Sequence, residues 1–173
     1  MKTDTQIMNE AAILQGCLHI LSDEDSKAQK ALLLDMYKDI ACLCDKHELV
    51  YMMGGGTCLG AVRHKGYIPW DDDLDIIMPR GSYEKLIKLL AEGALGEKYE
   101  YDAPNAKKDC KNPFLKVYRK DTLDIEITSE TAPGPKGIFI DVFPMDYAPN
   151  NNFLRKIKGV LSDFLQAVCS CVL

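Results

Sequence analysis

The chain has 173 residues, of which 47% are hydrophobic and 27% charged, with a formal net charge of −5. That length supports one domain with a real core rather than two, and the composition excludes disorder over most of it. The acidic balance excludes a general nucleic-acid binder, which would show a basic field, but not a nucleotide held in a local basic pocket.

Residues 1–21 place Ile7, Ala11, Leu14, Leu18 and Leu21 at helical spacing and predict a first helix. Ser22-Asp23-Glu24-Asp25 is a helix start signal, and Leu33, Met36, Ile40, Leu43 and His47 then form an apolar stripe over about Lys27 to His47. His47 reads as a cation closing that helix. Leu49 to Met53 is a buried strand, Thr57 to Arg63 a short helix, and Leu74 to Met78 a second buried strand stopped by Pro79. Tyr83, Leu86, Ile87 and Leu90 mark a further helix that frays at Gly93 and Gly96. Asn105 to Asn112 is a polar, basic loop. Phe114 to Arg119 and Leu123 to Thr128 read as strands, as in a hairpin about Asp121. After the turn Pro133-Gly134-Pro135, Gly137 to Pro144 is a third buried strand holding one acid, Asp141. Asn150-Asn151-Asn152 precedes a last amphipathic helix from about Phe153. Strands mixed with helices, with no internal repeat, imply an α/β (α+β) domain with a mixed sheet flanked by helices.

Seven cysteines, with Cys42/Cys44 and Cys169/Cys171 spaced Cys-x-Cys and no Cys-x-x-Cys, fit small buried thiols of a cytoplasmic protein. No basic-then-apolar signal segment is visible, and the apolar run Val160 to Leu173 is too short to span a bilayer, so a soluble protein is expected.

The chemistry concentrates between Gly54 and Met78. Gly54, Gly55 and Gly56 follow a strand and open a helix, where a glycine turn lets backbone N–H groups approach a phosphate. The spacing matches neither the dinucleotide fingerprint nor the Walker loop. Asp73 and Asp75 stand two apart on a strand, so both carboxylates leave on one face and repel unless a cation sits between them. Mg²⁺ suits such a pair, because it takes one or two carboxylates and completes its shell with water and phosphate. Asp141, flanked by Ile140 and Val142, needs a cation or donors, and beside the Asp73/Asp75 strand it would complete a triad for displacement at phosphorus. A calcium loop starting at Asp73 fails, since Ile77 and Met78 occupy positions that need an oxygen ligand and a turn glycine. Asp71 and Asp72 set the loop or capture a donor. Arg63, His64 and Lys65 either complement the helix dipole or donate to a substrate phosphate, and Lys116 and Arg119 are phosphate ligands or a solvated face. Trp70 shapes its loop, the better-favoured role, or stacks on a base.

Gly55-Gly56-Thr57, followed by the run Leu59 to Ile76 with its Arg63-His64-Lys65-Gly66-Tyr67-Ile68-Pro69-Trp70-Asp71-Asp72-Asp73-Leu74-Asp75 core, closely resembles the signature of the LicD-type family. That family belongs to the nucleotidyltransferase fold and has fukutin-like eukaryotic relatives. Gly137 to Pro144 resembles its second block. The resemblance runs from roughly residue 30 to 147, with blocks at about 30–92 and 113–147, and makes residues 1–173 a single domain of that fold. The superfamily pattern is a glycine pair opening a helix, an Asp-x-Asp strand and a third acid on another strand. These fall on Gly55/Gly56, Asp73/Asp75 and Asp141.

The resemblance implies transfer of a phospho-substituent, typified by phosphocholine from CDP-choline, to a cell-surface glycan or its precursor, such as a teichoic-acid-like polymer. It implies Mg²⁺ or Mn²⁺ on Asp73, Asp75 and Asp141, with phosphate cradled by Gly55, Gly56 and Thr57. Arg63, His64 and Lys116 match family positions, and the work would lie at the inner face of the membrane through peripheral contact. Family members continue past the position of Leu173, so the part that helps bind acceptor is expected to be missing here. Two rival readings are a metal-dependent glycosyltransferase gripping a nucleotide sugar with its Asp-x-Asp, and a non-catalytic nucleotide-binding fragment.

Overall fold

The computed structural model describes residues 21–104, 106, 112–124 and 134–172. The helix expected over 1–21 lies outside them apart from Leu21, as do most of the loop 105–112 and residues 125–128 of an expected strand. Helix α1 spans Asp23–Lys46, with Ser22 as its N-cap accepting from the Asp25 N–H at 3.1 Å and His47 as its C-cap. Strand β1 is Met52–Met53, helix α2 Gly55–Arg63, strand β2 Asp75–Pro79 and helix α3 Arg80–Ala91. Strands β3 (Tyr99–Asp102), β4 (Leu115–Arg119) and β5 (Phe139–Met145) follow, and helix α4 spans Asn152–Val172.

The five strands form one mixed sheet in the order β1-β2-β5-β4-β3, in which β2 and β5 are parallel and the other pairs antiparallel. Period-two alternation sends Ile76 and Met78 of β2, Leu115 and Val117 of β4, and Ile140 and Val142 of β5 into the core. Against them pack the α1 stripe (Leu33, Met36, Ile40, Leu43) and Tyr83, Leu86 and Leu90 of α3. The mixed sheet flanked by helices is the expected fold class. One face of the sheet thus packs on the helices, and the other carries Asp75, Asp141 and Lys116 among Ile77, Tyr118, Phe139 and Phe143.

Three elements differ from the sequence expectation, each for a local reason. Strand β1 is shorter than Leu49–Met53 because the Leu49 N–H goes to the Cys44 carbonyl (2.9 Å) and the Val50 N–H to Ser82 Oγ (3.0 Å), which takes both donors from the ladder. Strand β3 was not foreseen: it pairs with β4, and Lys98 and Tyr99 tie it to Asp39 of α1 at 2.7 and 2.6 Å. Leu123 and Asp124 are not a strand. Thr122 ends β4 by donating to the Arg119 carbonyl (2.7 Å) and accepting from the Ile138 N–H (2.9 Å), so β4 pairs with β3 and β5 instead of a following strand.

Helix α4 stands apart from this core, with Phe153, Leu154, Ile157, Val160, Leu161 and Phe164 all exposed. No described helix is long and apolar enough to cross a membrane. Truncation of Ile76, fully buried under both helices, to Ala is expected to cost about 2–5 kcal/mol. Leu161→Ser on α4 is expected to stay within about 0.5 kcal/mol. Urea unfolding of the two variants checks the contrast.

Candidate active site

The opposite sheet face carries one polar row, part of which is itself buried. Asp75 on β2 is in register with Asp141 on β5, and Asp141 with Lys116 on β4. Paired residues share a face, and neighbouring strands lie about 4.8 Å apart, so these three side chains stand side by side. Lys116 is 6% exposed, and its Nζ sits 3.4 Å from Asp141 Oδ1 and 3.6 Å from the centroid of the Phe139 ring. A buried ammonium is tolerated here because a carboxylate and an aromatic face both attract it. Phe139 and Phe143 flank Asp141 two residues either way, and Phe143 packs on Phe114 with ring centroids 4.3 Å apart. The row extends to Asp102 on β3, which is paired with Lys116 and accepts from Asn112 Nδ2 at 2.8 Å.

Helix α2 points its N-terminus at this row. Gly54 donates its N–H to the Asp75 carbonyl (2.9 Å), and Thr57 Oγ1 accepts from the Asp75 N–H (2.8 Å), which pins the first turn of α2 to β2. That bond leaves the Thr57 hydroxyl its own proton to donate. Gly55 has φ +41°, and a Cβ there would meet Asp75 Oδ2 at 2.8 Å, so glycine meets both the backbone and the space requirement. The Asp71 carboxylate lies against Gly56, within reach of the same helix end. The positive end of the α2 dipole favours these carboxylates and equally any phosphate that displaces them.

The acids strain one another. Desolvation, then the charges of Asp75, Asp71 and Asp72, pushes the Asp73 carboxyl up to about 6. Burial and Asp71 also raise Asp75, with Lys116 opposing. The Tyr67 hydroxyl, buried without a hydrogen-bond partner among the described residues, is pushed up to about 12 by burial and by Asp73. Hard oxygen donors that repel one another suit Mg²⁺ or Mn²⁺. Among the described residues no three His, Cys, Asp or Glu side chains gather closely enough to hold a metal ion, so Asp73, Asp75 and Asp141 do not converge as a triad. The adjacent pair Asp75 and Asp141 fits an ion that takes two carboxylates and completes its shell with phosphate and water. Asp73 precedes β2, while Asp75 and Asp141 are direct neighbours in the sheet.

Arg63 and His64 end α2, about 12 Å along its axis from Gly55. There Arg63 Nε donates to His64 Nε2 at 2.8 Å, and His64 meets Trp70 edge-on, with ring centroids 6.3 Å apart. Trp70 does not pack into its loop as favoured from the sequence; it is 77% exposed. Asp71, expected to set the loop or capture a donor, lies against Gly56 at the α2 N-terminus, and the Phe139 ring under Lys116 was missed as a site residue. The Phe-x-Asp-x-Phe alternation of β5 already placed the ring on the Asp141 face.

Residues 48–158 match the family described as LicD/FKTN/FKRP, nucleotidyltransferase domain. The chain belongs to that family. It is 31% identical over 125 residues to the lipopolysaccharide cholinephosphotransferase LicD of Haemophilus influenzae, covering 72% of this chain and 45% of that protein. It is 38% identical over 105 residues to an uncharacterised Rickettsia prowazekii protein, covering 57% of this chain and 39% of that one. The chain thus spans less than half the length of these two relatives.

Asp73 has a folded pKa above its unfolded value. Its protonated form therefore adds stability at low pH that is lost as pH rises through about 6. Asp73→Asn is expected to raise the melting temperature of chelator-treated protein at pH 7.5 by about 2–4 °C, allowing roughly 1 kcal/mol for this screened, exposed group. If Asp73 helps hold Mg²⁺, the same variant should also lose most of the rise in melting temperature that Mg²⁺ is expected to give the parent. Thermal scans with Mg²⁺ and with chelator check both halves.

Proposed function

We propose that this domain transfers a substituted phosphate, with phosphocholine from CDP-choline as the type case, to a hydroxyl of a cell-surface glycan or its precursor. The observation that carries this reading is the row Asp75–Asp141–Lys116, set beside the α2 N-terminus by the β2/β5 register. The name of the H. influenzae relative supports it by giving both the group and the acceptor class.

Asp73 and Asp75 would hold Mg²⁺ or Mn²⁺, which when bound supplies positive charge to the donor diphosphate, and Asp141 would either complete that site or act as base toward the acceptor hydroxyl. The N–H groups of Gly55, Gly56 and Thr57 receive phosphate oxygens at the helix end. The acceptor hydroxyl attacks the phosphorus that bears the choline, the bond from that phosphorus to the bridging oxygen breaks, and CMP leaves with that oxygen. The hydroxyl proton passes to an aspartate of the row, with Asp141 the candidate base. Lys116 brings a fixed positive charge to the row, where negative charge develops on the transferring oxygens. Arg63 and His64 serve the far end of the donor.

The test is CMP release and phosphocholine incorporation with CDP-choline, Mg²⁺ or Mn²⁺, and lipopolysaccharide or a teichoic-acid-like polymer as acceptor. Asp75→Asn and Asp141→Asn are each expected to lower turnover on the order of 10²–10³-fold or more, with the circular dichroism spectrum unchanged. Lys116→Met is expected to lower it by roughly 10²-fold. Parent-like rates in the aspartate variants would overturn the reading. Release of a nucleoside diphosphate with sugar transfer would replace it with glycosyl transfer.

A further inference from the structure

Trp70 is the single tryptophan of the chain, and it stands in solvent on a loop tied down at several points. The turn that carries it is closed by the Asp71 N–H donating to the Ile68 carbonyl (3.0 Å), with Ile68 itself buried. Helix α1 grips the same loop, Lys30 Nζ on the Pro69 carbonyl at 3.0 Å and Gln29 Nε2 on the Asp72 carbonyl at 3.4 Å. On the other side Gly60 admits the loop so closely that a Cβ there would meet the Gly66 carbonyl oxygen at 2.6 Å. Three separate devices thus hold a large flat ring outward. A loop fixed this firmly while its one indole stays unburied has a platform, since an indole that served packing would be covered.

The surroundings say what the platform receives. The indole abuts His64, which accepts from Arg63, and Lys65 follows in a left-handed conformation with φ +58°. A quaternary ammonium over the ring would meet this cationic group, whereas an uncharged base attached to phosphates would meet favourable charge. Asp71 adjoins Trp70 in sequence and reaches Gly56 at the N-terminal end of α2, while the ring lies against the residue that caps its C-terminal end. Helix α2 therefore spans from the phosphate-facing end to the indole, about 12 Å, a span comparable with an extended nucleoside diphosphate.

We infer that Trp70, backed by His64 and Arg63, is the stacking subsite for the nucleobase of a nucleoside diphosphate bound along α2. This deepens the phosphotransfer reading above and rests on it. Stacking uses the π-face common to all bases, so Trp70 anchors the nucleoside without choosing the base.

The test titrates CDP, UDP, ADP, phosphocholine and inorganic pyrophosphate into the full chain with Mg²⁺, following indole fluorescence and calorimetry together. Saturable quenching by the nucleoside diphosphates, and none by phosphocholine or pyrophosphate, is expected. Trp70→Ala should weaken CDP binding about tenfold or more while leaving pyrophosphate affinity unchanged, and Trp70→Phe should restore most of the loss. Parent-like CDP affinity in Trp70→Ala, with binding still abolished by Asp75→Asn, would overturn the base subsite and leave the phosphotransfer site standing. Quenching by phosphocholine without CDP would assign the ring to the quaternary ammonium and overturn the inference. Failure of every nucleoside diphosphate to bind the parent chain would overturn both readings together.

Discussion

The parallel pairing of β2 with β5 is the constraint on which the candidate site depends. Shifting that register by one residue would send Asp75 or Asp141 into the core and an isoleucine or valine out to the row. The register is held by Ile76, Met78, Ile140 and Val142, all fully buried beneath α1 and α3. The covered face thus decides where the charged face stands. Two carboxylates on adjacent strands repel, and Lys116 is placed on the third strand to offset that repulsion. Its burial against the Phe139 ring keeps the ammonium from swinging away into water.

A second constraint joins α2 to this row. The Thr57–Asp75 hydrogen bond fixes the first turn, and the glycines remove the Cβ atoms that would hold the carboxylates off the helix end. The result is an anion-seeking helix terminus beside acids that seek a cation. The metal–phosphate pair proposed above would satisfy those opposed preferences together, and it would relieve the repulsion that raises the Asp73 and Asp75 carboxyls.

Much of this was legible in the residues because the site uses types that an ordinary core avoids. Three successive glycines, an Asp-x-Asp and a lone Asp in an apolar strand each violate a packing preference, and such violations mark function. The Ser22 start signal and the Leu33-to-Leu43 stripe were legible for the opposite reason, since local propensity and burial agree there. Strand β3 was hidden because Tyr99-Glu100-Tyr101-Asp102 has no apolar run; its pairing to β4 and its ties to Asp39 are long-range. The end of β4 turned on one hydroxyl, that of Thr122, which no periodicity reports. Trp70 misled because indoles are usually buried, and only the closed turn from Ile68 to Asp71 reveals that this one is held outward.

The most direct test of the central claim, that the Asp75–Asp141–Lys116 row and the α2 terminus form one metal-dependent nucleotide site, is calorimetric titration of CDP-choline into the chain. It is run with Mg²⁺, with Mn²⁺ and then with chelator. The account predicts saturable one-to-one binding with either metal, abolished by chelator. Binding of equal strength with and without metal, or none with either metal, would contradict it.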